Sequence, residues 1–412
     1  MFSQNTPDAA TNIAIVIGAG IAGCSSAFAL AQRGWRVTLI ERESQLASGA
    51  SGNPSAILYA RLTGNLNTLN ELASASFKHS IDLLKKLKLS DADYQVCGVL
   101  QLSFNARELN RHLALTHENS PQNTEGIAEY LNQAEASKVA GINLNYGGLY
   151  IKNAGWVNPR VYCQALANHP NINICYSTNV LDLNFIDKEW QVSDEMRIIA
   201  QAAVVIIANA NDANQFSQTQ HLALRSVRGQ ITLLPCSNST GLLKTIVCAD
   251  SYICPAIAGL HNIGSTFRPN DDNPYLSVED HIKNLSGLAK ISPELTRLNS
   301  HCNSLLGRVA WRSQTPDYLP LVGRVLDAKQ LALKTPRYNA DPASLPWLTG
   351  LYVNAGHGSK GLITAPYCAE LITAHITKQL LSDTESLLSA LNPNRFLLRQ
   401  MGLKQLAKTA LM

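Results

Sequence analysis

The sequence predicts an α/β protein: a Rossmann-like nucleotide-binding domain assembled from discontinuous segments, with an α+β substrate domain inserted into it. Two observations lead there. A strand, glycine turn and helix stand near the start of the chain, and a second such unit stands near its end. At 412 residues the chain also exceeds what one hydrophobic core usually serves, so two domains are expected.

In the first unit, Ile13-Ala-Ile-Val-Ile17 is a short β-branched run and Gly18-Ala-Gly-Ile-Ala-Gly23 a tight turn. Cys24 to Arg33 reads as a helix of small residues ended by Gly34, and Arg36-Val-Thr-Leu-Ile-Glu41 as the next strand. The apolar stretch from Ile13 to Leu30 approaches the length of a membrane span, but its three glycines favour a buried strand, turn and helix. Ser48 to Pro54 is a loop of small residues, and Leu66 to Leu87 has the pattern of an amphipathic helix. From Asp91 to Tyr146 short runs such as Gly98-Val-Leu-Gln-Leu102 mix with polar helical stretches, as an inserted domain would. Ala202 to Ala208 is another buried strand, ending in the turn-forming Asn209-Ala-Asn-Asp212. Short strands resume from Arg228 to about Thr266, and Leu351-Tyr-Val-Asn-Ala355 leads into Gly356-His-Gly-Ser-Lys-Gly361 and an apolar helix from near Leu362. The boundaries that follow are 13–90, 147–227 and 307–380 for the nucleotide-binding domain, 91–146 with 228–306 for the substrate domain, and 381–412 for a helical tail.

A formal charge of +4 allows contact with a polyanion but suits a small-substrate enzyme equally. The nine cysteines are scattered, with no C-x-x-C pair and no metal-type spacing to histidine, so reduced thiols in a cytoplasm and no bound metal are expected. Met1 to Asn12 lacks the basic start and apolar run of a signal peptide, and export is not expected.

Three stretches carry chemistry. Gly18, Gly20 and Gly23 lie between a strand and a helix, where they permit the turn, the approach of a pyrophosphate and close helix packing. Glu41 ends the next strand, where a carboxylate can accept hydrogen bonds from a ribose; the competing reading is a packing turn with Glu41 as a solvated strand end. The late turn favours FAD over NAD, because Gly356 to Gly361 can bring amides and the Lys360 ammonium to the flavin's pyrimidine end. Against that stand a surface-exposed Lys360 and a His357 that only satisfies a loop carbonyl. Arg312, within Gly307 to Asp317, lies among apolar residues on a strand and needs a carboxylate partner: the substrate's own, or Asp317 or Glu41. Tyr252 is a candidate for lining the site, or a strand residue packing on the sheet. Arg395, Arg399, Lys404 and Lys408 have a spacing that clusters cations on one helix face, for nucleic-acid contact or simple solvation.

With these stretches in hand, the chain resembles the D-amino-acid oxidase superfamily of FAD enzymes, which includes glycine and sarcosine oxidases, over nearly its whole length. Within it the likeness is to the C-terminal oxidoreductase half of the MnmC family of tRNA-modifying proteins. That likeness is carried by Gly49-Ala-Ser-Gly-Asn53 with Leu58-Tyr59, Arg308 to Gly323, Gly358-Ser-Lys-Gly-Leu362 with Ala365-Pro366 and Cys368-Ala-Glu370, and Leu391-Asn-Pro-Asn-Arg-Phe396. The resemblance implies that the ADP part of FAD falls on Gly18, Gly20, Ile21, Ala22, Gly23, Glu41, Arg42, Ser48, Ala50, Ser51 and Asn53. It puts the isoalloxazine on Gly356, Gly358, Ser359, Lys360, Gly361 and Leu362. With no cysteine between Cys302 and Cys368, the FAD is expected to be non-covalent.

The function implied is oxidation of a CH–NH group: removal of the carboxymethyl group from 5-carboxymethylaminomethyl-(2-thio)uridine at the tRNA wobble position, giving 5-aminomethyl-(2-thio)uridine and glyoxylate. Arg312, Lys360 and Tyr252 are the expected site residues, with Arg312 on the carboxylate. Two departures stand out. The family's methyltransferase half does not precede the first glycine turn, so methyl transfer is not expected and a separate S-adenosylmethionine-dependent methyltransferase is a candidate partner. Lys360 stands where the family pattern has arginine, which removes a bidentate reach. The alternatives are an oxidase or dehydrogenase of free glycine, sarcosine or a D-amino acid, and a flavin-binding RNA scaffold without turnover.

Overall fold

The computed structural model describes residues 12–62, 67–116, 127–295, 304–379 and 384–409, and the chain divides into two units. The first takes residues up to Ser51, Tyr162–Arg225 and the chain from Ser313 onward; the second takes Gly52–Val161 and Ser226–Arg312.

The first unit is built on a six-stranded sheet with Ile13–Ile17 near its middle. Arg36–Ile40 and Val204–Ile207 flank that strand in parallel, Ile172–Cys175 extends one side, and Trp347–Ala355 with the antiparallel Leu321–Leu326 extends the other. Ile13–Ile17 is covered on both faces, which is why it reads as a continuous apolar run instead of an alternating one. The helix Ile21–Ala31 consists mainly of alanine, serine and glycine, and it packs against the helix Gly361–Ile376. Gly34, at φ +81°, lets the chain leave that first helix for the next strand.

The second unit is α+β. Its nine-stranded sheet includes Val99–Leu102, Gly148–Ile151, Ile246–Cys248, Leu260–Gly264 and the long Arg225–Pro235, with Leu306–Gln314 pairing to the last of these. A small sheet of Ala56–Leu58, Gly155–Val157 and Tyr94–Gln95 stands beside it in sequence. The helix predicted from Leu66 is observed as Thr68–Leu87, capped by the Asn67 side chain; Leu66 itself lies outside the described residues.

The unit boundaries differ from those read in the sequence. Residues 52–90 and 147–161 belong to the second unit because Ala56–Leu58 pairs with Gly155–Val157, and 307–312 because they continue the strand paired to Arg225–Pro235. The tail joins the first unit, where Leu398, Leu403, Leu406 and Ala407 pack with Leu326, Leu331 and Leu345.

The tail also corrects one expectation. Arg395, expected among exposed cations, is fully buried: its Nε and Nη2 donate to the two oxygens of Asp317 at 2.9 and 2.7 Å, and Nη2 also reaches Leu319 O. Nor do Arg395, Arg399, Lys404 and Lys408 share a helix, because the chain breaks into Arg395–Gln400 and Leu406–Thr409. Only the last three remain at the surface. Asn394 completes the latch, accepting from the Leu326 amide at 2.9 Å and donating to Arg324 O at 2.9 Å.

Burial alone would raise the Asp317 carboxyl, but hydrogen bonds and charge from Arg395 outweigh it and hold the group below its ordinary range. A depressed carboxylate contributes stability above the unfolded value of about 3.9 and loses it as pH falls through the folded value. Arg395→Met is therefore expected to cost about 3 kcal/mol in urea unfolding at neutral pH. Asp317→Asn is expected to flatten the fall in stability below about pH 4; wild-type acid lability in that variant would contradict the assignment.

Candidate FAD and carboxylate sites

In the first unit the glycine turn is closed by backbone contact. Gly18 has φ +95°, and a Cβ there would sit 2.7 Å from Asn209 Cα; a Cβ on Gly23 would sit 1.7 Å from Gly18 O. Gly20 differs, since a Cβ on it would meet only Ser51, with Oγ at 3.1 Å. Its open side is the one a pyrophosphate needs. Gly20 also caps the helix Ile21–Ala31 without a side-chain bond, which leaves the first-turn amides of Ala22 and Gly23 for an anion. The Ile21 amide donates to Ser51 Oγ at 3.1 Å, tying the small-residue loop to the helix start.

Glu41 is not a solvated strand end. It is buried, with Oε2 accepting from the Ala19 amide at 2.7 Å and Oε1 from the Glu43 amide at 3.0 Å. Each oxygen keeps a second lone pair, as ribose hydroxyls require. Asn209, against Gly18, holds a buried Oδ1 with no partner among the described residues, an acceptor that a ligand donor would satisfy. These features fit FAD. Of the other residues expected here, Arg42 pairs with Asp212 at 2.7 Å on the surface, Ser48 Oγ donates to Gln45 O, and Ala50 opens the short turn Ala50–Gly52. Asn53 falls in the second unit, where its Oδ1 accepts from Arg308 Nη1 at 3.0 Å.

The late turn belongs to the same unit as the first. Gly356 and Gly358 take positive φ, +76° and +57°, and the Gly358 amide donates to Ser313 O at 2.7 Å. His357 does more than satisfy a loop carbonyl: its Nε2 faces Asn354 Oδ1 and its Nδ1 faces Thr364 Oγ1, both at 2.9 Å. Asn354 in turn donates to Ser26 Oγ on the first helix at 3.0 Å. Burial lowers His357 to about 3, so it stays neutral at working pH. Ser359 is exposed and Leu362 buried, while half-buried Lys360 immediately precedes the helix Gly361–Ile376. The N-terminus of this sixteen-residue helix itself carries positive potential.

The second unit carries Arg312. Its half-buried guanidinium donates from Nη1 to Thr266 O at 3.2 Å and from Nη2 to Ser265 Oγ at 2.5 Å. The two acids offered as internal partners are engaged within their own unit, Asp317 by Arg395 and Glu41 by backbone amides. Among the described residues no carboxylate pairs with Arg312. Burial lowers its proton affinity, offset by Tyr252. Burial in turn drives the Tyr252 phenol far up despite Arg312, so Tyr252 is a neutral donor and cannot act as a base. Sequence reasoning missed what seats this arginine: a Cβ on Gly229 would lie 2.4 Å from both terminal nitrogens. The available signal was a glycine inside a long strand. Tyr59, pushed up to about 12 by burial, and Arg308, lowered by burial, are further half-buried groups of this unit.

The family described as FAD dependent oxidoreductase (DAO) matches residues 14–375. The chain belongs to this family. As an FAD-dependent oxidoreductase it has the mixed α/β fold of glycine oxidase from Geobacillus kaustophilus, with TM-score 0.72 and 22% identity over 92% of this chain and 97% of that one. L-proline dehydrogenase from P. horikoshii gives TM-score 0.73 at 20% identity, covering 95% and 98%. Much nearer in sequence are two proteins named tRNA 5-methylaminomethyl-2-thiouridine biosynthesis bifunctional protein MnmC. The one from Methylobacillus flagellatus is 44% identical over 96% of this chain, and the one from Pseudomonas savastanoi pv. phaseolicola 40% over 97%. The chain spans 61% of the length of each. Among the described residues no helix is long and apolar enough to cross a membrane, and no group of three or more His, Cys, Asp or Glu is placed to hold a metal.

Gly20→Val is expected to leave the fold intact, because its Cβ meets only Ser51, yet to abolish FAD retention by filling the approach. The visible-to-ultraviolet absorbance ratio of purified protein measures this; normal flavin content in the variant would remove Gly20 from the site.

Proposed function

We propose that this oxidoreductase removes the carboxymethyl group from 5-carboxymethylaminomethyl-(2-thio)uridine in tRNA, giving the aminomethyl base and glyoxylate. The identity of 40–44% to MnmC proteins along almost the whole chain supports the substrate. The observation that carries the chemistry is Arg312, a half-buried guanidinium anchored by a carbonyl and a hydroxyl and paired with no carboxylate among the described residues.

The substrate is an N-substituted glycine. Arg312 binds its carboxylate through the N–H groups not spent on Thr266 and Ser265, and Gly229 keeps the space for that fork. Tyr252 acts as a neutral donor within the unit that carries Arg312, and no protein base is required once the amine is desolvated and neutral. Gly18 to Gly23, Glu41, Ser51 and the Gly356–Leu362 turn would hold FAD, which would supply the two-electron acceptor for oxidation of the substrate's Cα–N bond. The substrate imine then adds water and splits to the primary amine and glyoxylate. Lys360 and the N-terminus of the helix Gly361–Ile376 would favour negative charge on a cofactor held at this turn. The eight free thiols among the described residues support a reducing, cytoplasmic setting.

Arg312→Lys keeps the charge but loses the planar fork, and is expected to raise KM for modified tRNA by roughly 10- to 100-fold. Gly229→Ala is expected to act in the same direction by displacing the guanidinium. Glyoxylate release from the modified tRNA is the readout, and an unchanged KM in both variants would sink the anchor. The cofactor is held without a covalent bond, so acid precipitation is expected to leave all flavin in solution; colour retained in the pellet contradicts that.

A further inference from the structure

The large sheet of the second unit has two unlike faces. Leu100, Leu102, Val247, Ile253 and Ile263 point one way and join a single apolar cluster with Leu285 and Leu288 of the helix Val278–Leu288. Alternation turns Gln101, Cys248 and Tyr252 the other way. The register sets them in one row: Gln101 beside Cys248, Cys248 beside Tyr252, and Tyr252 beside Gly264. Arg312 lies over the Gly264 end. A Cβ on Gly264 would meet Ile231 Cγ2 at 3.3 Å, so the two share a face, and Gly229, two residues before Ile231 on the same strand, shares it as well. The Arg312 guanidinium stands where a Gly229 Cβ would be, 2.4 Å from its terminal nitrogens, and its Nη2 is held by Ser265, next to Gly264.

The other end of the row is a donor. Gln101 is only 6% exposed, and its Nε2 is buried with no hydrogen-bond partner among the described residues. The amide has one orientation: Arg111 Nη2 donates to Gln101 Oε1 at 3.0 Å, and because a guanidinium can only donate, Nε2 is turned away from Arg111. Arg111 is itself set by Glu108 Oε2 at 2.5 Å and Leu62 O at 2.7 Å. Buried donors in folded proteins are met, and an acceptor on a ligand would meet this one.

We infer that Gln101 is a specificity residue, donating from Nε2 to a ring carbonyl oxygen of the substrate's uracil while Arg312 holds the carboxylate. The inference rests on the proposed substrate. Three strand steps separate Gln101 from Gly264, about 14 Å at the usual spacing. An extended carboxymethylaminomethyl uracil with a hydrogen bond at each end has this scale. Its two ends also match the two anchors in chemistry, an anion for the guanidinium and a neutral acceptor for the amide. Free glycine and sarcosine offer only the first, so Gln101 favours the modified base over them.

The test uses FAD-loaded full-length protein, the free nucleoside carrying the carboxymethylaminomethyl group, and sarcosine, which has the carboxylate and amine without the ring. Gln101→Glu keeps an oxygen for Arg111 and replaces the donor by an acceptor; Gln101→Leu removes both. Each is expected to weaken nucleoside binding in equilibrium dialysis, and to raise KM for it, by roughly 10- to 100-fold. Sarcosine binding, read from the flavin absorbance, is expected to be unchanged. Should Gln101→Leu fail to retain FAD, Gln101→Glu decides. Wild-type nucleoside affinity in Gln101→Glu would overturn the inference and leave Nε2 to a buried water. Equal loss of sarcosine binding would also overturn it, since the substitution would then act through Arg312 or the fold. If the wild type binds the nucleoside without oxidising it, the proposed reaction fails, and dialysis alone still decides Gln101.

Discussion

Close backbone approach at Gly18 is the constraint on which the first unit depends. The Gly18 carbonyl lies where a Cβ on Gly23 would go, and the Asn209 main chain lies where a Cβ on Gly18 would go. Three segments far apart in sequence therefore meet without side chains between them. That contact sets the helix Ile21–Ala31 directly over the sheet and aims its free amides at one point. Glu41 adds to the same arrangement: by accepting from Ala19 it fixes the turn while presenting its remaining lone pairs. On the proposed reading, the atoms that close the structure here are also those that would receive the nucleotide.

The second unit solves a different problem, how to keep a charge buried and still available. Arg312 is steadied by a backbone carbonyl and a serine hydroxyl, which orient the guanidinium without neutralising it. A structural partner would have cancelled the charge, as Asp317 does for Arg395. The contrast between these two arginines separates the binding role proposed for Arg312 from the latching role of Arg395. The Asn-Pro-Asn-Arg segment that marks the tail is accordingly a structural device: Asn394 and Arg395 stitch the tail to 317–326 through backbone carbonyls, an amide and one carboxylate.

Much of this was legible in the sequence, and for physical reasons. Central parallel strands are apolar throughout and glycine turns have few substitutes, so Ile13–Ile17, Gly18–Gly23, the 204–207 strand and the late turn could be placed directly. Arg312 stood out because a cation among apolar residues demands an explanation. What stayed hidden depends on pairing across long separations. Nothing local in Ala56–Leu58 says that it pairs with Gly155–Val157, so the unit boundary was drawn too late. Gly229 is an ordinary strand glycine until the Arg312 side chain is seen against it. Arg395 reads as a surface cation because helical spacing says nothing about Asp317, which lies 78 residues earlier.

The central claim is that this FAD enzyme oxidises an N-substituted glycine presented on tRNA. Its most direct measurement is anaerobic loss of the visible flavin absorbance on mixing with tRNA carrying the carboxymethylaminomethyl base, set against free glycine, sarcosine and D-alanine. Rapid bleaching by the modified tRNA, with the free amino acids leaving the flavin oxidised, is the expected result. Bleaching by a free amino acid while the modified tRNA leaves the flavin oxidised would contradict the account and make the protein a small-amine oxidoreductase.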